Sequence, residues 1–256
     1  VTVNVTLLGG GFGRKSKPDY IVEAAVISKA MEGKPVKVTW TREDDIQHTY
    51  FHTVSVEHLE AGLDAQGKPV AWMHRSVAPT LLSTFVAGAK NEAPLELGMG
   101  VINVPFAIPN VRIENPEAEA HTRIGWFRSV SNIPHAFAVQ SFVAELAAAA
   151  GRDQKDYLLE IIGPPRRVSP EALNDAWNHD EASDLYPVDT GRLRRVVETV
   201  AREAGWGRKL PKGRGLGIAA HYSFVSYVAS VVEVAVNDQG EVTIPRIDIA
   251  VDCGAT

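Results

Sequence analysis

Apolar and polar positions alternate with a period of two over residues 1–8, and this alternation predicts a β-strand. From residue 18 to residue 31 the apolar positions recur at helical spacing. Because a proline begins this segment and Gly33 follows it, the segment predicts a helix. Residues 36–40 predict a second strand. The opening unit is therefore predicted to be a strand, a glycine-rich loop, a helix and a strand.

Two later parts of the chain are rich in β-branched residues and are interrupted by short connections that contain glycine. Such a pattern predicts antiparallel hairpins, because glycine allows the tight turn that joins two strands. The paired segments are residues 54–63 with 70–77, around the connection 64–67, and residues 230–236 with 242–251, around the connection 237–240. The sequence therefore predicts two long hairpins.

Between the predicted hairpins the apolar residues follow helical spacing. A helix is predicted over residues 134–150 and a shorter one over residues 156–162. A third helix is predicted to begin at a cap, either Asp189 or Thr190, and to end at residue 204, just before a glycine.

The order of these elements favours an α+β fold over a regular βαβ series, because strands are followed by helices and then by strands again. Residues 163–188 are rich in proline, asparagine and aspartate and predict an irregular crossing. We predict two mixed α/β subdomains with long β-hairpins. Residues 1–125 form the first, and residues 126–256 hold the helical connection and the start of the second.

The composition is that of a globular protein with a sizeable core. The chain has 256 residues, 45% of them hydrophobic, and its formal net charge of −5 without a basic stripe argues against a nucleic-acid partner. The single cysteine, Cys253, excludes an internal disulfide, and no apolar run reaches the roughly 18 residues of a membrane span. The chain starts at Val1 and stops just after a predicted strand, so we expect an internal fragment of a longer protein.

The stretch GGGFGRK, residues 9–15, is the first candidate for a binding site. Its spacing fails the nucleotide motif GxxxxGK(S/T), because Arg14 precedes Lys15, and it fails GxGxxG, because position 14 is not glycine. Backbone N–H groups of a glycine loop before a helix still favour an anion or an oxygen-rich ligand. The alternative is a tight turn from strand to helix that binds no ligand.

A second candidate stretch runs from His121 to Val130, just before the first predicted helix of the central region. Arg128 follows two aromatic residues there, and its guanidinium could donate a bidentate pair to a phosphate or an oxo group. The alternative is a surface arginine over an aromatic shelf.

The other titratable residues predict structural roles. His48 and His52 are four residues apart, but the segment is expected to be extended, so we predict no metal site there or at the other histidines. His221 follows a glycine-rich entry to a strand and is expected to line a pocket or to pack closely. Glu145, inside an apolar helix, is expected to be buried with a salt-bridge partner. We predict no catalytic residue and no metal ligand in this chain.

Three ordered motifs together resemble the molybdenum-binding large subunit of the xanthine dehydrogenase family. They are GGGFGRK after a strand, GWFRSVSNIPHAFAVQSFVAELAAAAGRD about 115 residues later, and GRGLGIAAHYSFVSYVASVVEVAV. The resemblance covers nearly the whole chain and is strongest to the isoquinoline 1-oxidoreductase β subunit and its aldehyde- and N-heterocycle-oxidising relatives. The xanthine oxidase branch has glycine after the matching arginine, whereas Arg128 is followed by Ser129 and Val130, which fits the isoquinoline branch.

The resemblance implies a molybdopterin-binding domain in which Gly10, Gly11, Phe12, Gly13 and Arg128 contact the cofactor. That cofactor would be molybdenum held by a pterin dithiolene, in the cytosine dinucleotide form. The resemblance also implies a partner subunit that carries two 2Fe-2S clusters. The implied reaction is hydroxylation of an aldehyde or an aromatic N-heterocycle, with water as the oxygen donor.

The family's catalytic glutamate and its glutamine motif are absent from this chain, so we expect the fragment alone to be inactive. One alternative is a non-catalytic cofactor-binding or assembly piece of the same fold. Another, disfavoured by the failed motif spacing, is a nucleotide-phosphate binder. Members of the isoquinoline branch often carry twin-arginine export signals, so the expected compartment is the bacterial periplasm or cytoplasm.

Overall fold

Helices and strands are mixed along the chain, and the predicted α+β class is confirmed. The computed structural model describes residues 4–177, 179, 181–182 and 184–255. The helices are α1 (Asp19–Ala30), α2 (Arg42–His48), α3 (Pro94–Leu97), α4 (Asn132–Ala149), α5 (Gln154–Ile162) and α6 (Thr190–Ala204). The strands are β1 (Val56–Leu63), β2 (Pro69–Val77), β3 (Asn110–Glu114), β4 (Arg167–Val168), β5 (Val188–Asp189), β6 (Arg214–Ser223), β7 (Ser226–Val236) and β8 (Val242–Asp252).

Both predicted hairpins are confirmed. β1 and β2 pair antiparallel, with Val56 opposite Val77, and β3 adds to β2 in parallel, with Ala71 opposite Asn110. β6, β7 and β8 form an antiparallel sheet in chain order. The short strands β4 and β5 pair with each other inside the predicted irregular crossing.

The two hairpin connections use the same local hydrogen bonds. Asp64 accepts from the backbone N–H groups two and four residues further on, both at 2.9 Å. Asn237 accepts from the equivalent N–H groups at 3.0 and 2.9 Å. An aspartate or asparagine side chain that bonds to its own backbone in this way closes a turn without help from the rest of the protein. Local turn chemistry therefore explains why the two connections look alike in sequence.

One core joins the first hairpin to the helices and to the second large sheet. α4 packs against α5 and β1, while α6 packs against β7 and β8. Trp72 of β2 lies in this core and meets the rings of Phe106 and Phe142 edge-on, at centroid distances of 5.9 and 5.1 Å. Because buried apolar surface is the main stabilising term, this core sets the position of α4 relative to the first hairpin.

The predicted ends of α6 are confirmed in detail. The Asp189 carboxylate accepts from the backbone N–H groups of Gly191 and Arg192, at 2.8 and 3.1 Å, so it satisfies two donors that the helix leaves free. Gly205 follows the helix with a φ of +66°, the left-handed conformation that glycine adopts without strain.

The prediction of two strands near the N-terminus is wrong. Residues 4–8 and 36–40 have no regular secondary structure, and residues 1–3 lie outside the described part of the chain. A strand needs a neighbour to pair with its backbone groups, but Val5 and Leu7 are 92% and 104% exposed. The helix predicted between them is confirmed as α1, although no residue in that helix is buried.

Within the described ranges, no single helix is long and apolar enough to cross a membrane. α4 and α5 pass that test only as a pair, and they are bent by 114° at their junction and contribute buried residues to the core.

Candidate functional site

The glycine loop, residues 9–13, adopts backbone conformations that side chains disfavour. The φ angle is +153° at Gly10, +50° at Phe12 and +89° at Gly13. A Cβ atom at Gly10 would lie 2.6 Å from the ring of Phe12, so the missing side chain leaves space for that ring. Phe12 itself is 65% exposed. The loop therefore presents an aromatic ring at the surface on a backbone that favours glycine at positions 10 and 13.

The two cations that follow the glycine loop are engaged within the protein. Arg14 donates a bidentate pair to Asp19 at the start of α1, with both bonds at 2.8 Å. The Arg14 guanidinium thereby holds the pKa of Asp19 below its ordinary value. The Lys15 ammonium lies 4.4 Å from the centroid of the Tyr20 ring. These contacts fix the loop to α1, and they occupy the charges that a phosphate-binding loop would direct at its ligand.

The glycine loop packs directly against the second candidate stretch. A Cβ atom at Gly13 would lie 2.7 Å from the carbonyl carbon and oxygen of Trp126, so the two backbones touch there. Two residues further on, the Arg128 guanidinium stands over the Phe12 ring at 5.4 Å from its centroid, a cation–π contact. Two motifs that are about 115 residues apart in the chain therefore form one surface.

The loop that carries Arg128, residues 123–131, is held by the segment that precedes β1. The Phe51 N–H donates to the carbonyl of Arg123 at 2.8 Å, and the Gly125 N–H donates to the carbonyl of Phe51 at 3.1 Å. Beyond this paired part, Ser129 and Val130 both have positive φ, at +74° and +50°. Such angles are strained for residues with a Cβ atom and persist only where surrounding contacts impose them.

A buried polar network lies behind this loop, and the sequence prediction missed it. His74 on β2 bonds Glu57 on β1 at 2.7 Å, and Ser76 donates to Glu92 at 2.6 Å. His135 in the first turn of α4 places Nε2 3.4 Å from a Glu92 oxygen and 3.8 Å from a Glu57 oxygen. The side chains of both histidines are fully buried, and those of Glu57 and Glu92 are 9% and 1% exposed.

A sequence signal for the network did exist. Trp72, His74 and Ser76 are buried at every second position of β2, so two polar residues continue an apolar inward face. The opposite strand, β1, carries Glu57 at an inward position as well. Polar residues at inward positions of paired strands indicate partners inside the core, because a polar group buried alone is costly.

The charges of the network are coupled. Burial lowers the pKa of His135, but the hydrogen bond to Glu92 and the charges of Glu92 and Glu57 outweigh it, so the pKa lies above 6.5. Burial raises the pKa of Glu57, but hydrogen bonds from His74 and Ser55 and the charge of His135 outweigh it, so that pKa lies below 4.5. The fold therefore favours the charged forms of both groups.

The network gives stability a defined pH dependence. The raised pKa of His135 stabilises the fold at pH below 6.5, and this contribution is lost as the pH rises through the folded-state pKa. The lowered pKa of Glu57 stabilises the fold at pH above 4.5, and this contribution is lost as the pH falls through the folded-state pKa. We expect urea unfolding to show the greatest contribution from these groups between pH 4.5 and 6.5. In His135→Gln, the loss of stability on the alkaline side should shrink. An unchanged alkaline slope in that variant would contradict the assignment.

His221 supports the start of α4 from the second sheet. Its Nε2 lies 2.8 Å from the side-chain oxygen of Asn132, the first residue of α4. Burial, followed by the charge of His135, lowers the pKa of His221 to about 4, so the ring is neutral and donates this bond. His221 also lines a cleft of about 310 Å³ together with Phe137 and Gln140. Both functions expected of His221, a pocket lining and a packing contact, are present.

Two expectations from the sequence are corrected by the structure. Glu145 is exposed on α4 and forms no ion pair with another described residue, so the predicted buried salt bridge is wrong. The helical spacing of α4 leaves this position on the solvent side. His48 ends the unpredicted helix α2, where its ring meets Trp40 edge-on at 6.1 Å, whereas His52 lies beyond the helix. Across the described ranges, no three histidine, cysteine, aspartate or glutamate side chains are placed to hold a metal ion.

A family profile and several known sequences match this chain. Residues 1–157 match the profile of the family described as molybdopterin cofactor-binding domain. A membrane-bound aldehyde dehydrogenase (pyrroloquinoline-quinone) of Gluconacetobacter polyoxogenes is 32% identical over 97% of this chain. The β subunit of isoquinoline 1-oxidoreductase from Brevundimonas diminuta is 28% identical over 99% of it, and a nicotinate dehydrogenase subunit of Pseudomonas putida is 27% identical over 96%. The chain spans 32%, 30% and 20% of the lengths of these three relatives, respectively.

Solved structures share the fold. The aldehyde oxidoreductase of Desulfovibrio gigas superposes with a TM-score of 0.56 at 18% identity, over 93% of this chain and 25% of its own. The quinoline 2-oxidoreductase of Pseudomonas putida 86 superposes with the same TM-score at 19% identity, over 93% of this chain and 32% of its own. At this level of identity the two structures support the architecture alone.

Proposed function

Because the chain belongs to the molybdopterin cofactor-binding domain family, we propose that its glycine loop and its Arg128 loop form one wall of a molybdenum–pterin site. The family resemblance noted in the three sequence motifs is thereby confirmed. The observation that carries the proposal is the contact of Arg128 with Phe12, which joins the two motifs in space. The proposed cofactor contacts are Gly10, Gly11, Phe12, Gly13 and Arg128.

The residues present fit such a group. Arg128 is exposed and forms no ion pair with another described residue, so its guanidinium N–H groups are free to donate to a phosphate or an oxo ligand. Apart from its chain neighbours, no atom of the described residues lies within 4 Å of the place where Gly9 would carry a Cβ atom, so a ligand can approach the backbone there. The Ser131 hydroxyl, at the end of the Arg128 loop, is buried and has no hydrogen-bond partner among the described residues, so its donor is unused there.

In this proposal the role of the chain is to hold and orient the cofactor. When bound, the molybdenum–pterin group supplies the two-electron oxidation chemistry. The glycine loop would let the group approach the backbone, Arg128 would donate hydrogen bonds to its anionic atoms, and Phe12 would shield one side from water. The cytosine dinucleotide form of the cofactor is part of the proposal.

For the whole protein we propose an oxidoreductase that hydroxylates an aldehyde or an aromatic N-heterocycle, with electrons leaving through a 2Fe-2S partner subunit. The names of the relatives, an aldehyde dehydrogenase and an isoquinoline oxidoreductase, support this substrate class. The division into subdomains 1–125 and 126–256, and a bacterial periplasmic or cytoplasmic location, stay predictions.

Gly11→Val tests the cofactor site in the intact polypeptide that contains this chain. A Cβ atom at Gly11 would meet Lys15 and Leu8 side-chain carbons at 3.5–3.7 Å, an ordinary contact, so valine fits the protein but fills space in front of the loop. We expect molybdenum and pterin content to fall at least about tenfold while the unfolding midpoint is unchanged.

The matched control is Gly215→Val on β6, where a Cβ atom would meet no atom of the described part of the chain within 4 Å. This control should retain full molybdenum and pterin content. Normal content in Gly11→Val would contradict the site. A parent protein with neither molybdenum nor pterin but with tight ATP binding would favour the nucleotide binder instead.

A further inference from the structure

His52 connects the segment before β1 to the far end of the Arg128 loop. Its Nε2 lies 2.9 Å from the carbonyl oxygen of Val130, and its ring meets Phe127 edge-on at 5.9 Å between centroids. The neighbouring residue, Phe51, bonds the near end of the same loop through Arg123 and Gly125. Two adjacent residues therefore hold both ends of the loop that presents Arg128.

The Arg128 loop contains a strained backbone that needs support from outside the loop. Ser129 and Val130 both adopt positive φ, and neither is glycine. A free chain would relax these angles, so an external contact must maintain them. The only side chain that bonds the Val130 carbonyl among the described residues is His52. Without that bond, the Val130 carbonyl keeps only the longer backbone bond from the Ile133 N–H, at 3.3 Å, among the described residues.

The two ring nitrogens of His52 face the same kind of atom. Nδ1 lies 2.5 Å from the carbonyl oxygen of Thr53, and Nε2 faces the carbonyl oxygen of Val130. A carbonyl oxygen only accepts, and a neutral imidazole has a single N–H, so in the tautomer that carries its proton on Nε2 the ring donates to Val130. No described carboxylate forms an ion pair with His52. The charged groups on the surrounding segments are Arg123 and Arg128 on the loop, and Arg14 and Lys17 over the Tyr50 ring.

We infer that His52 is a positioning residue which, by donating from Nε2 to the Val130 carbonyl and packing its ring against Phe127, holds Arg128 over Phe12. The His52 clamp, meaning the bond from Nε2 to the Val130 carbonyl together with the ring contact to Phe127, is a property of the chain itself. Its effect on cofactor binding rests on the proposed function. Removal of the donor to Val130 frees the loop and lets the guanidinium leave the Phe12 ring.

Three variants at position 52 separate the two bonds from the ring. His52→Gln keeps an amide donor near Nε2, His52→Asn keeps one near Nδ1, and His52→Phe keeps only the ring face toward Phe127. In the intact protein isolated without cofactor, hydrogen exchange is measured on a peptide covering residues 124–132. The N–H groups of Val130 and Asn132, which donate within this turn at 2.8 and 3.1 Å, report its closure.

We expect exchange in this peptide to be at least about tenfold faster in the Asn and Phe variants and near the original rate in the Gln variant. Peptides from α6 should keep their rates in all three, which shows that the fold is retained. Equal rates in all four proteins, or faster exchange in the Gln variant as well, would overturn the inference.

This experiment is independent of the cofactor proposal. Exchange rates in protein without cofactor test the clamp, and the molybdenum content of Gly11→Val tests the cofactor site. If the clamp holds and Gly11→Val keeps its molybdenum, the proposed function fails while His52 retains its positioning role.

Discussion

His135→Ala is expected to lower the free energy of unfolding by about 3–5 kcal/mol, because it leaves buried carboxylates without their cation. The ring is fully buried, and its Nε2 faces Glu92 and Glu57 while its Nδ1 lies 3.0 Å from the Met99 carbonyl. Truncation also leaves a cavity at the first turn of α4. Urea unfolding at a pH near 6, followed by circular dichroism, measures the loss.

The matched control for this variant is His58→Ala on β1. His58 pairs with Glu60 at 2.8 Å, but both side chains are more than half exposed, so the cost should stay within about 0.5 kcal/mol. Adding Glu92→Gln to His135→Ala removes one of the uncompensated charges and should recover part of the stability. A loss below about 1 kcal/mol in His135→Ala would show that the carboxylates find other partners.

Gly13→Val is expected to separate the glycine loop from the Arg128 loop. A Cβ atom there would lie 2.7 Å from backbone atoms of Trp126, which cannot move aside as a flexible side chain can. The φ of +89° adds strain of about 1–2 kcal/mol for a residue with a side chain. In the intact protein we expect molybdenum and pterin content to fall by at least about tenfold, together with faster hydrogen exchange in residues 9–16 and 124–132.

Gly207→Val provides the control for backbone strain alone. Its φ is +84°, but within the described ranges a Cβ atom at that position would meet no atom closer than 4 Å, and Gly207 lies outside the two loops. This variant should lose stability to a similar extent through strain and keep its cofactor content. If Gly13→Val retained full molybdenum content, the contact between the loops would have no part in binding.

The two valine substitutions at positions 11 and 13 test different things. Gly11→Val leaves the protein's own contacts intact and blocks space outside the loop, whereas Gly13→Val disrupts the contact between the loops. Cofactor loss in both would support a site that needs open approach and correct loop geometry. Cofactor loss in Gly13→Val alone would contradict the proposed site, because Gly11 is one of its contacts.

Elements closed by local contacts could be predicted from the sequence. α6 has its cap at Asp189 and its terminating glycine within the chain segment itself, and helical hydrogen bonds join residues four apart. The two hairpins carry the Asx turns of Asp64 and Asn237, so their strands are adjacent by construction. The family could also be recognised, because its three motifs keep their order along the chain.

Elements that depend on distant partners could not be predicted in this way. The alternation over residues 1–8 is that of a strand, yet residues 4–8 are exposed and unpaired, because strand pairing requires a neighbour that the local pattern does not specify. Glu145 was expected to be buried because its helix is apolar, but burial depends on which face of α4 meets the sheets.

Local elements, the family and the residue types of the proposed site, Gly10 to Gly13 and Arg128, follow from the order of amino acids alone. Only the tertiary structure places Arg128 over Phe12 and His52 against the Arg128 loop. It also brings Glu57, Glu92 and His135 into one buried network. The reason is physical. Hydrogen bonds within a helix or turn act over a few residues, whereas burial and charge pairing act between groups that only the assembled core brings within about 3–6 Å of each other.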